Sequence, residues 1–284
     1  MINLHTHTNK SLDGVLDVND VLNICEENNI SYVSITDHDT CDAYKDIKDN
    51  NFTGTLIYGI EADALIGKET YDILCYGFNL KNVSEWAKNK YTTIEERQTI
   101  IFNELKQISK KQNIYLDEST PYNPKEEYAH AAIFRMLDNS FKEKYNLTKI
   151  SDLYRESTIN KDFPLYIDMS ILWPTIEEVR NVIHENGGLI FLAHPFKYGK
   201  KDVNELLKEA LSYIDGIEVY NGNTDEEVKF LYDFAKENNL LMSCGSDFHS
   251  TENHNDIIVQ INDKLEQEIV DWINNNPNKT YFKR

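Results

Sequence analysis

Short apolar runs alternate with stretches of helical spacing over the first eighty residues. Met1–His5 reads as a strand. Val18, Val21, Leu22 and Ile24 recur at the period of one helix face within Val18–Asn28. Ser31–Ile35, Thr55–Ile60 and Tyr71–Phe78 are further predicted strands. From about Ser84 to Tyr166 the helical pattern dominates. Tyr91–Gln112 is long and amphipathic, and Pro124–Leu137 opens on proline and acids, as helices do. The β/α rhythm then returns. Thr175-Ile176-Glu177-Glu178 is a capping box, and Gly187-Gly188 closes the helix it opens. Leu189–Ala193, Gly216–Tyr220 and Leu240–Cys244 read as strands, separated by helices at Asp202–Tyr213 and Asp225–Asn238. The pattern predicts an α/β fold. A barrel domain would comprise residues 1–83 and 166–284, and a helical insertion at 84–165 would act as a cap or substrate domain.

Polar clusters fall at or just after the predicted strand ends. They are His5-Thr6-His7, Asp37-His38-Asp39, Glu61, His194-Pro195 and Asp247-Phe248-His249, with Asp13 in a tight Ser11-Leu12-Asp13-Gly14 turn. In a parallel barrel those ends share one face, where catalytic groups collect. The one-residue spacing of His5 and His7 puts both rings on one side of a strand, and Asp247 with His249 repeats it. Imidazole combined with carboxylate suits Zn²⁺, Mn²⁺ or Fe²⁺. Five of the eight histidines sit at these ends. The other reading of each cluster alone, as a structural strand terminator or capped turn, weakens when all five occur together. His184, in a last helical turn, and His254, in a polar loop, read as structural or solvated.

Length and charge narrow the picture. A chain of 284 residues suits one barrel, since such barrels run to about 250 residues. A net charge of −19 disfavours stable binding of duplex nucleic acid, because the surface repels a phosphate backbone. Bound divalent cations would offset part of it. The sequence has no apolar run of about 18 residues and no signal-peptide pattern at its start, so a cytoplasmic protein without membrane contact is expected. Cys25, Cys41, Cys75 and Cys244 lack metal or disulfide spacing and are expected as free thiols.

In this order, the clusters resemble the motifs of the PHP (polymerase and histidinol phosphatase) superfamily. Those look like HxHxxxSDG, TDHD, a lone Glu, an HP pair and GSDFH. Gly216-Ile217-Glu218-Val219-Tyr220 is also similar to a family strand. The resemblance implies a distorted (β/α)7 barrel of the PHP type holding two or three divalent metal ions, with Mn²⁺ favoured and Zn²⁺ or Fe²⁺ as alternatives. Carried over by position, one metal would take His5, His7, Glu61 and Asp247. A second would share Glu61 and add His194 and Asp72. The third would take Asp13, His38 and His249. Asp72 is a departure, since the family strand usually reads like VHILGYGFD with histidine there. A carboxylate shifts that site toward harder ions.

Within the insertion, Ala129-His130-Ala131-Ala132 is similar to a family segment that reads like RPHIARAL. The likeness implies that His130 contacts the phosphate or substrate, and Arg135 and, outside the insertion, Lys197 are candidate phosphate cations. The implied activity is hydrolysis of phosphate esters of small molecules, nucleotides (3′,5′-bisphosphates included) or short RNA ends foremost. The nucleophile would be water activated by the metals, with no separate catalytic side chain. The alternatives are histidinol-phosphate phosphatase and a non-catalytic metal-binding module associated with a polymerase. The oligomeric state is left open.

Overall fold

Strands β1 (Ile2–Thr6), β2 (Tyr32–Ile35) and β3 (Thr55–Ile66) pair in parallel. β4 (Glu69–Tyr76) follows β3 after Gly67-Lys68, where Gly67 takes φ +64°. β4 then meets β5 (Leu189–Leu192) antiparallel, with Ile73 opposite Leu192. β5, β6 (Gly216–Tyr220) and β7 (Leu241–Cys244) are again parallel. Beyond β7, Asp247 N–H donates to His5 O at 3.0 Å and His7 N–H to Phe248 O at 2.8 Å. These bonds bring the last strand's extension back to the first, so the sheet forms a nearly closed seven-strand barrel. β8 (Lys279–Tyr281) adds antiparallel to β3 outside the ring. The computed structural model describes residues 1–11, 13–48, 50–198, 202–250 and 257–281. Leu12 of the expected turn and His254 lie outside the described residues.

Helices α1 (Val18–Glu27) and α2 (Leu80–Lys90) belong to the barrel unit. α3 (Ile94–Lys111), α4 (Ala129–Met136), α5 (Asn139–Lys144) and α6 (Ile150–Ile159) form a helical unit. α7 (Ile176–Glu185), α8 (Val203–Ala210), α9 (Asp225–Glu237) and α10 (Asp263–Asn275) return to the barrel. Their starts are chemically marked. Asp17, Thr93, Thr175, Asp202, Thr224 and Asn262 each accept a first-turn N–H with the side chain. Asn29, Asn113, Asn146 and Asn239 end helices in the left-handed conformation, which asparagine tolerates.

The barrel unit comprises residues 1–66, 70–90 and 174–284, and the helical unit 67–69 and 91–173. Both junctions lie later than the sequence pattern places them, for a packing reason. α2 buries Val83 and Ala87 within the barrel unit. Residues 163–173 lack a helical period, yet they bury Phe163, Leu165 and Ile167 in the helical unit. Ile167 N–H donates to Ser157 O of α6 at 2.7 Å. α4 also begins five residues after Pro124, because 123–126 close a turn first. α10 and β8 extend the fold past the last motif. The Trp272 indole of α10 donates to Met242 O of β7 at 2.9 Å. The barrel strands are buried on both sides: β1 is buried at all five positions, Asn3, His5 and Thr6 included, and Leu4, Ile57, Ile73, Phe191 and Ile217 are sealed from solvent.

Candidate metal centre

β1 carries His5 and delivers His7 just past its end, and both rings are fully buried. Their Nε2 atoms lie 3.1 Å apart. Glu61 Oε2, from the middle of β3, is 3.0 Å from His5 Nε2 and 3.1 Å from His7 Nε2. Asp247 Oδ1 is 3.3 and 3.2 Å from the same two nitrogens. The opposite edges of the rings fix which atoms face the centre. His5 Nδ1 faces Glu218 Oε1 at 3.0 Å, and a carboxylate oxygen accepts. His7 Nδ1 faces Ser11 Oγ at 3.0 Å. That hydroxyl donates to Asp37 Oδ1 at 3.0 Å and accepts His38 N–H at 2.9 Å. Both Nδ1 atoms therefore donate, and both Nε2 lone pairs point inward. Four acceptor atoms face one point, so the cluster calls for a cation. These separations match the edge of a tetrahedron around an ion, about 3.3 Å for ligand distances near 2.0 Å.

Two further groups adjoin the first. His249 Nε2 lies 3.0 Å from Asp13 Oδ2, and His38 Nε2 lies 3.6 Å from the same oxygen. His249 Nδ1 bonds to Asp247 O at 2.7 Å, which leaves Nε2 as the inward donor atom. The rings of His7 and His249 stack at 4.1 Å. His7, Asp13, His38 and His249 can share an ion. On the other side, His194 Nε2 is 3.2 Å from Glu61 Oε1 and 3.5 Å from Asp72 Oδ2. His38, Glu61 and Asp72 also offer atoms close enough for one ion. Glu61 thus stands at the centre, with its two oxygens facing different groups.

The direction of β4 explains Asp72. Because β4 runs against its neighbour β5, its beginning meets the end of that strand. Asp72 O accepts Ala193 N–H at 3.1 Å, one residue before His194. The Tyr198 hydroxyl holds the same residue, accepting Asp72 N–H at 2.9 Å. Three site residues adopt left-handed backbone: Asp39 (φ 59°), His194 (φ 24°) and Asp247 (φ 56°). Such conformations cost about 1–3 kcal/mol each and persist where surrounding bonds enforce them. Gly245, two residues before Asp247, must be glycine. A Cβ there would lie 2.1 Å from His5 Cβ and 2.9 Å from Glu218 Oε1.

The field of this cluster also draws cations. Burial opposes charging His5, yet Glu61, Glu218 and Asp247 outweigh it and raise its pKa well above normal. Burial likewise opposes charging His38, and Glu61 with Asp13 overcomes it. Burial works against ionised Glu61, but His5 and His38 hold its pKa well below the carboxylate range. Asp72 behaves oppositely: burial, Glu61 and Asp63 push its pKa well up. A third carboxylate beside two others stays ionised only with added positive charge.

All nine candidate ligands named from the sequence lie in these three groups or within 3.5 Å of them. Lys197 joins them, its Nζ 2.8 Å from Asp247 Oδ2 and its side chain half exposed. Residues 130 and 135 belong to the helical unit. His130 is 5% exposed, with Nε2 bonded to Ser157 Oγ at 2.9 Å and Tyr154 against its edge. Burial lowers its pKa to about 4, so the ring is neutral at pH 7 and packs the unit's core. It offers no positive charge to a phosphate. Arg135 pairs with Glu127. His184 Nε2 bonds to Asp215 Oδ2 at 2.7 Å, a contact within the barrel unit in keeping with its structural reading. Glu218, Asn221 and Tyr198 carry no role in the sequence reading. A charged residue inside an apolar strand, such as Glu218, is itself the available signal, because glutamate is rarely buried without a partner.

His130 has a measurable consequence. Its unfolded pKa is near 6.5 and its folded pKa near 4, so its stabilisation is complete above 6.5 and is lost as pH falls through 4. Lowering pH from 7 to 5 should cost about 2 kcal/mol through this ring. Urea unfolding of wild type and His130→Gln at both pH values checks it. The wild type should lose more stability on acidification, and equal losses would assign the proton elsewhere.

Comparison with known proteins bears on the family and the fold. The PHP domain family model matches residues 3–219. The 5′-3′ exoribonuclease Rnm of Salmonella typhimurium is 24% identical over 263 residues, covering 87% of this chain and 84% of that protein. Its Escherichia coli counterpart of the same name is 25% identical over 260 residues, with the same coverage. Among solved structures, a Bifidobacterium adolescentis protein assigned as a metal-dependent phosphoesterase matches with TM-score 0.56 and 21% identity, over 94% of both chains. An amidohydrolase from Chromobacterium violaceum gives TM-score 0.60 at 18% identity, over 94% of this chain and 96% of that one. At these identities the two structures report a shared fold.

Proposed function

This chain belongs to the PHP domain family, and from that premise we propose that it is a metal-dependent phosphoesterase that hydrolyses nucleotide phosphoesters, the ends of short RNA foremost. The carrying observation is the set of four inward acceptor atoms on His5, His7, Glu61 and Asp247. We take these as ligands of one ion, Glu61, Asp72 and His194 as ligands of a second, and Asp13, His38 and His249 as ligands of a third. Mn²⁺ is the favoured metal, because four of the nine residues, Asp13, Glu61, Asp72 and Asp247, carry carboxylates and Glu61 offers hard oxygen to two positions. A divalent ion held by these residues would lower the pKa of water toward 7 and polarise phosphoryl oxygens.

The chain's own residues supply the remaining terms. Glu218 and Ser11 hold His5 and His7 in one tautomer, so no reorganisation is needed when charge develops. The Lys197 ammonium, half exposed beside Asp247, is placed to meet a phosphate oxygen. The acidic surface, at −19 overall, opposes long polyanions, so a short strand or single nucleotide suits the site better than a duplex. The two exoribonuclease relatives, each aligned over 87% of the chain, favour RNA ends over an amine-bearing phosphate such as histidinol phosphate. Among the described residues, no helix is long and apolar enough to cross a membrane.

The test is a substrate panel with Mn²⁺ containing a 5′-phosphorylated oligoribonucleotide, a 3′,5′-bisphosphate nucleotide, a DNA duplex and histidinol phosphate. Release of mononucleotides or phosphate from the first two is expected. Turnover of histidinol phosphate alone would replace the reading with the alternative phosphatase, and inactivity on all four would remove it.

A further inference from the structure

Glu218 sits in β6 with its side chain fully buried, and the two oxygens of its carboxylate serve two different parts of the centre. Oε1 accepts from His5 Nδ1 at 3.0 Å. Oε2 accepts the main-chain N–H of His194 at 2.8 Å and the Asn221 side-chain amide at 3.0 Å. His5 belongs to β1, and His194 directly follows the end of β5. These strands are not neighbours in the sheet, since β6 and β7 lie between β5 and the return to β1. One carboxylate therefore ties together two histidines that the strand ladder leaves unconnected.

Each bond acts on a specific degree of freedom. The first sets the tautomer and ring angle of His5, and so directs its Nε2 inward. The second holds the backbone of His194 at φ 24°, which a residue with a Cβ adopts only under constraint. Without it, the loop at His194 could relax and withdraw Nε2 from Glu61 and Asp72. The fold reserves room for this arrangement, because the missing Cβ of Gly245 leaves space for Glu218 Oε1.

We infer that Glu218 is a positioning residue that couples the first and second metal positions, so that occupancy of one favours occupancy of the other. An ion on His5 Nε2 makes the Nδ1–H a stronger donor to Glu218, which fixes the carboxylate and with it His194. The inference rests on the ligand assignment proposed above.

The experiment is Mn²⁺ titration of the metal-free full chain, with bound metal counted by elemental analysis after equilibrium dialysis. Wild type should fill the two positions cooperatively. Glu218→Gln should bind at both positions about 10- to 100-fold more weakly and without cooperativity. Thermal melting of the metal-free proteins separates positioning from folding. A purely structural role would lower the melting temperature of the variant while leaving metal affinity in the folded protein unchanged, and that result overturns the inference. If Glu218→Gln does not fold, Glu218→Asp replaces it, since it keeps the charge but is too short to span both partners. Wild-type affinity at both positions in that variant would be equally decisive against coupling. A wild type that binds no Mn²⁺ removes the ligand assignment and the coupling together. A wild type that binds it alongside an unaltered variant removes the coupling alone.

Discussion

His7→Ala and Asp247→Ala should each lower turnover by more than about 100-fold at saturating Mn²⁺ while the chain stays folded. That factor is the upper end of what losing a partner of a ligand costs, and these residues supply the inward atoms themselves. His7 Nε2 and Asp247 Oδ1 lie 3.2 Å apart in the four-atom group. Removing either leaves three acceptors and an open side. The variants differ in a second respect. His7→Ala also frees Ser11 Oγ from one partner, and His7 stacks on His249. It should therefore deplete the Asp13–His38–His249 group as well. Asp247→Ala releases Lys197 and should perturb mainly the first group. Steady-state kinetics with metal counting checks both, using circular dichroism to confirm folding. Near wild-type turnover in either variant would take that residue out of the mechanism.

Asp72→His should change which metal the protein prefers. Glu61, Asp72 and His194 combine two carboxylates with one imidazole, and hard oxygen donors favour Mn²⁺ or Mg²⁺ over softer ions. The Asp72 backbone is fixed on both sides, by Ala193 and by the Tyr198 hydroxyl, so a histidine would start from the same place. It would also replace the carboxylate that burial, Glu61 and Asp63 disfavour in its charged form. Zn²⁺ affinity should rise by about an order of magnitude relative to Mn²⁺. Competition titrations against a chromophoric chelator read this directly. Identical preference in wild type and variant would show that Asp72 is not a ligand.

Much of this centre was legible because its chemistry is local in sequence. The period of two in a strand places His5 near His7, and strand-end clusters mark one face of a barrel before any contact is known. Helix caps were equally local. Thr175 and Asp202 accept first-turn N–H groups, and β6 begins and ends at the residues its apolar pattern gives. β3 was read only to Ile60, because the polar Glu61 and Asp63 interrupt the apolar run. The strand continues through both, with Glu61 fully buried at the centre and bridged to His38, and Asp63 partly exposed.

What the tertiary structure alone decided is long-range. The antiparallel course of β4 brings the beginning of that strand, and Asp72, beside His194; no spacing in the sequence encodes a strand's direction in the barrel. Glu218 acquires its two partners from β1 and from the loop after β5, more than twenty residues away in each case. His130 was legible as a residue but not as a role, because burial against Ser157 and Tyr154 makes it neutral. Sequence period fixes which way a side chain points from its own element. Which other side chains it meets, and hence its charge, is decided only when distant elements close the barrel and exclude water.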